Sequence, residues 1–74
     1  MGVIGGDNMG LNLKIARIKK RLTQKELADV VEVSRDYIAS LENGRAKNPS
    51  IELMKKLSKA LNVPVTELFF NEEE

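Results

Sequence analysis

The sequence predicts an all-α fold of five helices. Apolar residues recur at helical spacing along most of the chain. Thr23, Ser34 and Ser50 each stand where a helix N-cap belongs. A length of 74 residues makes one domain, near the lower limit for an unaided hydrophobic core. That domain is expected over residues 9–70, between an N-terminal arm at 1–8 and an acidic tail at 71–74.

The arm holds three glycines and little periodicity, and is expected to be flexible. Its Gly5-Gly6 pair is not followed by Gly-Lys-Ser/Thr, so no phosphate loop is expected. With neither Arg nor Lys, it also lacks what an arm reaching into a DNA groove usually carries. The first helix is expected from about Leu11 to Leu22, on the spacing of Leu11, Ile15, Ile18 and Leu22. Leu13 and Ala16 widen this stripe beyond the single apolar face of a surface helix. Either part of it packs under the arm, or one residue, Ile15, is exposed. Arg17 falls within the apolar region, where a guanidinium needs a partner.

The second helix begins after Thr23, whose spacing from Glu26 is that of a capping box. Leu27, Ala28 and Val31 form its apolar stripe. Gln24 and Lys25 sit in its first turn, where unpaired N–H groups and the positive dipole end suit a phosphate. The pattern breaks at Glu32-Val33, and Ser34 caps a third helix with Ile38 and Leu41 inward. Asn43-Gly44 ends it. At about 100° per residue, Arg35, Asp36, Ala39 and Ser40 point away from that stripe. Two capped helices joined by a turn of three or four residues make a helix-turn-helix unit, whose second helix enters a DNA major groove.

On that reading Arg35 pairs with a guanine, while Ala39 meets a thymine methyl and Ser40 and Ser34 reach bases or phosphates. Asp36 faces repulsion from phosphates unless it accepts from cytosine N4 or orients Arg35, and it serves to reject wrong sequences. Tyr37 has two readings: a hydroxyl on a phosphate, or a half-buried core aromatic with a wet tip. Asn43, Arg45, Lys47 and Asn48 follow in a polar loop that runs to Pro49. Ser50 caps the fourth helix, with Ile51, Met54, Leu57 and Leu61 expected inward and Lys55, Lys56 and Lys59 outward. Pro64 suits the first turn of a fifth helix, expected from Val65 to about Phe70. Leu68 and either Phe69 or Phe70 should pack on the core. The phenylalanine left over suggests a partner surface, so Leu68, Phe69 and Phe70 are the expected homodimer interface.

Residues 13–70 resemble the Cro/CI-type (XRE) helix-turn-helix family. The resemblance rests on Leu13-xxx-Arg17, Thr23-Gln24-xx-Leu27-Ala28, Val33-Ser34-xxx-Ile38, Glu42-x-Gly44, Pro49-Ser50 and Leu61-Asn62-Val63. It implies a five-helix, lambda-repressor-like DNA-binding domain with the helix-turn-helix formed by helices 2 and 3. By the same resemblance Arg17 pairs with Glu42, Gln24 contacts the DNA backbone and braces the recognition helix, and the 43–48 loop lies along the phosphates. One position departs from the family: Glu32 stands where most members have glycine, at a turn that tends toward the left-handed region.

Net charge +1 conceals two opposed ends. Lys14, Arg17, Lys19, Lys20, Arg21 and Lys25 occupy residues 14–25 without an acid, whereas Glu67, Glu72, Glu73 and Glu74 occupy the end without a base. A local basic patch is what phosphate binding needs. There is no cysteine and no histidine, which removes disulfides, thiolate metal sites and the common general base. No cofactor and no catalysis are expected, since nothing pairs a nucleophile with a base. No run approaches the ~18 apolar residues of a membrane span, and the first ten residues lack the features of a secretory signal. A cytoplasmic address is the expectation. The expected function is a transcriptional regulator, most simply a repressor, that binds a palindromic double-stranded DNA operator as a homodimer. The alternative is a protein-interaction module on the same scaffold, such as an antitoxin or the partner of an anti-repressor, with a regulatory protein as its ligand.

Overall fold

The computed structural model describes residues 8–69. The chain folds into α1 (Asn8–Lys19), α2 (Gln24–Val31), α3 (Arg35–Glu42), α4 (Ile51–Leu61) and α5 (Val65–Phe69). Among the described residues there is no strand. The α2–α3 pair packs at one side, α1 lies across α3 and α5, and α4 bridges α2 and α5. Leucine dominates the shared core: Leu13, Leu27, Leu41, Leu57, Leu61 and Leu68 are buried, with Ile38 and Val31 among them. Residues 1–7 of the expected arm, Phe70 and the 71–74 tail lie outside the described residues.

Helix α1 starts at Asn8 and stops at Lys19, three residues early at each end against the expected Leu11–Leu22. The stop has a local cause. Arg21 adopts the left-handed conformation with φ 61°, and this turns the Leu22 N–H back to donate to the Arg17 carbonyl at 3.2 Å. The same closure recurs twice. At the end of α2, Glu32 has φ 64° and the Val33 N–H donates to the Ala28 carbonyl at 3.0 Å. At the end of α4, Asn62 has φ 58° and the Val63 N–H donates to the Ser58 carbonyl at 3.1 Å. These are Schellman-type ends, which usually recruit glycine because a Cβ costs roughly 1–2 kcal/mol in that conformation. Here all three are made without one.

The core face of α1 also differs from the expected stripe. Leu13 and Ala16 are the buried pair, whereas Ile15, as expected, is 42% exposed and Leu11 and Ile18, against expectation, are each 54% exposed. All three lie about 140–200° around the helix from Leu13, so they cannot share its face. In α4 the expected Ile51 is likewise 68% exposed, and Leu53 takes the inner place with Leu57 and Leu61. Residues 53, 57 and 61 stack at four-residue intervals, and Ile51 sits about 200° from Leu53. Pro64 stands just before α5, and its carbonyl accepts from the Glu67 and Leu68 N–H groups at 3.0 and 3.1 Å. Leu68 is 1% exposed. It is therefore spent inside the protomer and is unavailable as a dimer surface, a correction to the expected interface. Phe69 is half-buried against the core.

Candidate nucleic-acid interface

The two helices of the motif are set by their caps. Thr23 Oγ1 accepts from the Glu26 N–H at 3.0 Å and Glu26 Oε1 accepts from the Thr23 N–H at 2.8 Å, a complete capping box. After the left-handed Glu32, Ser34 Oγ accepts from the Tyr37 N–H at 3.1 Å and starts α3. Only residues 32–34 separate the two helices. Across this turn Lys56 Nζ reaches from α4 to Glu32 Oε1 at 3.2 Å. Ser34, expected at a base or phosphate, thus has its hydroxyl engaged in the cap while its residue stays exposed.

Helix α3 is buried along one stripe and grades from half-buried to exposed around the rest of its circumference. Ile38 and Leu41 are fully buried, and Glu42 anchors the same side. Its carboxylate accepts from Arg17 Nε at 2.6 Å and Arg17 Nη2 at 3.1 Å, a bidentate pair. Gln24 Nε2 donates to the same carboxylate at 3.1 Å. Arg17 Nη1 donates in turn to the Leu22 carbonyl at 2.7 Å. One carboxylate therefore ties α1, α2 and α3 together, and the buried charge is balanced without an orphaned donor.

Around the rest of the helix Arg35 and Asp36 are exposed, Arg35 one heptad before Glu42, and Ala39 and Ser40 are half-buried. Arg35 Nη1 and Asp36 Oδ1 stand 3.7 Å apart with both side chains open to solvent, a loose contact rather than a hydrogen bond. Tyr37 is half-buried and packs against the core, lining a cleft with Val33, Asn48 and Lys56. Beyond α3, Gly44 has φ 88°, the Ala46 N–H donates to the Ser40 carbonyl at 3.0 Å, and Asn43 Oδ1 accepts from the Arg45 N–H at 3.0 Å. These bonds fold the loop back on the helix. Arg45, Lys47 and Asn48 remain exposed along it.

The run of cations at 14–25 is not one patch. Lys14 lines a shallow cleft with Leu11, Asn43 and Gly44, at the end of α3. Arg17 is taken up by Glu42. Lys19 and Lys20 line a different cleft with Leu61, Val63 and Glu67. Lys25 pairs with Asp29 at 3.3 Å, an exposed contact that a phosphate can displace. The first-turn N–H groups of Gln24 and Lys25 have no partner within the helix. Lys14, named in the sequence only as part of the basic run, stands apart from Lys19 and Lys20, and one structural residue, Gly10, escaped the sequence reading. Gly10 is buried, and a Cβ on it would stand 2.5 Å from the Glu42 carbonyl oxygen and 2.7 Å from that of Leu41. Only glycine lets α1 come this close to the end of α3.

Two capped helices, a three-residue turn and an outward polar face on a braced second helix define a helix-turn-helix DNA-binding domain. Residues 13–68 match the helix-turn-helix family model, and the chain belongs to the Cro/CI-type (XRE) helix-turn-helix family of DNA-binding transcription regulators. It is 40% identical over 67 residues to an uncharacterised HTH-type transcriptional regulator of Archaeoglobus fulgidus, covering 89% of this chain and 93% of that one. It is 36% identical over 61 residues to the HTH-type transcriptional regulator SlrR of Bacillus subtilis, covering 82% of this chain but only 40% of SlrR. The N-terminal DNA-binding domain of SinR from Bacillus subtilis superposes with a TM-score of 0.81 at 32% identity, covering 92% of this chain and 97% of that one. Among the described residues no helix is long and apolar enough to cross a membrane.

Proposed function

We propose that this chain reads a double-stranded DNA operator with α3 in the major groove and represses transcription by covering a promoter. The observation that carries the proposal is the two-faced α3. Its inner side is locked by Ile38, Leu41 and the Glu42 clasp, while Arg35 and Asp36 are exposed and Ala39 and Ser40 are half-exposed. Arg35 offers a bidentate donor pair to guanine, with Asp36 close enough to steer it. Gln24, Lys25, Ser34, Tyr37, Asn43, Arg45, Lys47 and Asn48, with Lys14 near the end of α3, give phosphate contacts that set register. The operator is a (pseudo)palindrome, read by a homodimer with one α3 per half-site, about one helical turn apart. Phe69, with Phe70 beyond it, supplies the apolar dimer contact in place of the buried Leu68. DNA as the ligand implies a cytoplasmic setting.

Selection of sites from random duplex DNA tests this, followed by titration of the winning site across a salt series. A palindromic winner, affinity that falls steeply with salt, and a loss of about 1–3 kcal/mol on Arg35→Ala are expected. No enriched sequence, with binding indifferent to Arg35, refutes it. One observation favours a protein partner in addition: the apolar row on α1 that is left uncovered among the described residues.

A further inference from the structure

Leu11, Ile15 and Ile18 are exposed on one face of α1, opposite Leu13. Their intervals of four and three residues are those of a helix-pairing seam. The positions flanking such a seam are cationic: Lys14 and Lys19 are exposed beside it, with Arg21 just beyond. From Met9 to Lys25 the chain contains no acid. Against the seam lies a cleft of about 370 Å³, lined by Ile15 and Ala16 of α1 and by Leu61 and Val63, with Glu67 as the one acidic lining residue among the described residues. It can take one bulky apolar side chain. The seam faces away from the core, and its apolar atoms have nothing to offer a phosphate backbone.

We infer that this face of α1 docks an amphipathic helix of a partner protein, one with apolar residues at seam spacing and acidic residues on both flanks. The anchors at i, i+4 and i+7 match about two turns of such a helix. Charge selects the occupant. A second copy of α1 would set Lys14 and Lys19 against the same two lysines, and like charges across a helix pair are unfavourable. Acidic flanks pair with them instead. This assignment shares only Lys14 with the operator reading, and its anchors Leu11, Ile15 and Ile18 belong to none of the proposed DNA contacts, so Ile15 and Ile18 test it separately.

The test titrates the full chain, followed by amide NMR, with a synthetic three-heptad helical peptide carrying Leu and Ile at its seam and Glu at every flanking position. The amides around Leu11, Ile15 and Ile18 should shift. Binding should weaken with salt, fall at least tenfold in Ile15→Ser/Ile18→Ser, and vanish for the same peptide with Lys at the flanks. The double variant changes exposed residues only, and an unchanged melting curve confirms its fold. Equal binding by the double variant overturns the inference. So does loss of binding on Arg35→Ala instead, which would make the peptide a DNA mimic on α3. Shifts of the same amides with protein concentration alone would assign the face to a second copy. Shifts in a Glu72→Gln/Glu73→Gln/Glu74→Gln variant without peptide would assign it to the chain's own tail. Shifts with phosphatidylglycerol vesicles but not with peptide would assign it to a membrane surface.

Discussion

Replacing Gly10 by alanine should destabilise the domain, although alanine is the better helix former. Helix propensity alone predicts a gain of up to about 1 kcal/mol for Gly→Ala inside a helix. At Gly10 the added Cβ would stand 2.5 Å from the Glu42 carbonyl oxygen, 2.7 Å from that of Leu41 and 3.0 Å from the Glu42 carbonyl carbon. All three are backbone atoms, so no side-chain rotation relieves the contact. A carbon and a carbonyl oxygen approach comfortably to about 3.3 Å, so α1 and the end of α3 must separate by roughly 0.8 Å there. Overpacking of this kind costs about 1–3 kcal/mol, and the move also stretches the Arg17–Glu42 clasp, whose shorter arm is 2.6 Å. Subtracting the full propensity gain leaves about 0–2 kcal/mol, which the stretched clasp keeps a net loss, or up to roughly 16 °C in Tm for a domain of this size. Urea and thermal unfolding followed by circular dichroism measure it. A Gly10→Ala protein as stable as the wild type, or more so, would refute the close approach of α1 to α3.

Arg17→Met leaves the Glu42 carboxylate without its main partner and should cost about 3–5 kcal/mol in urea denaturation; the Arg17→Met/Glu42→Met pair should recover at least half, and no recovery would place the loss elsewhere. Glu32→Gly relieves a left-handed residue at φ 64° and should raise stability by up to about 1 kcal/mol, with Lys56→Ala as the control for the exposed ion pair; a clear loss in thermal unfolding would contradict the strain. Ser34→Ala removes an N-cap and should lose about 0.5–2 kcal/mol. Ser34→Asp keeps the cap, so it should melt like the wild type while binding DNA more weakly at low salt; unaltered DNA binding would show that Ser34 lies away from the phosphates.

The motif was the most legible part of the chain because its signals are local. Thr23 with Glu26, and Ser34, mark helix starts through bonds spanning three residues, and both ends form as their spacing implies. On α3, Ile38 and Leu41 lie buried as their three-residue spacing implies, and Arg35 and Asp36 lie exposed. Helix ends were less legible, because Arg21, Glu32 and Asn62 do the work usually signalled by glycine. In α1 the spacing supports two stripes at once, one through Leu11, Ile15 and Ile18 and one through Leu13 and Ala16. Periodicity cannot say which of them meets the core. Gly10 was illegible: nothing nearby distinguishes it from Gly2, Gly5 and Gly6, and its neighbours come from Leu41 and Glu42. The third arm of the clasp, from Gln24 to Glu42, spans 18 residues and depends on the packing of α2 on α3.

The separation of α3 into a clasped side and an open side has an evolutionary consequence. In a saturation library of this helix, Ile38, Leu41 and Glu42 should tolerate almost nothing, because each change is felt in three helices at once. Positions 35 and 36 answer mainly to whatever lies outside the protein, and the half-buried positions 39 and 40 do so within the limits of size. Eight residues thus hold both a frozen set and a drifting set, so a lineage can acquire a new target by a few changes without refounding its fold. The same arrangement lets the outward residues of another reader be grafted here, with Arg17, Gln24 and Glu42 left untouched.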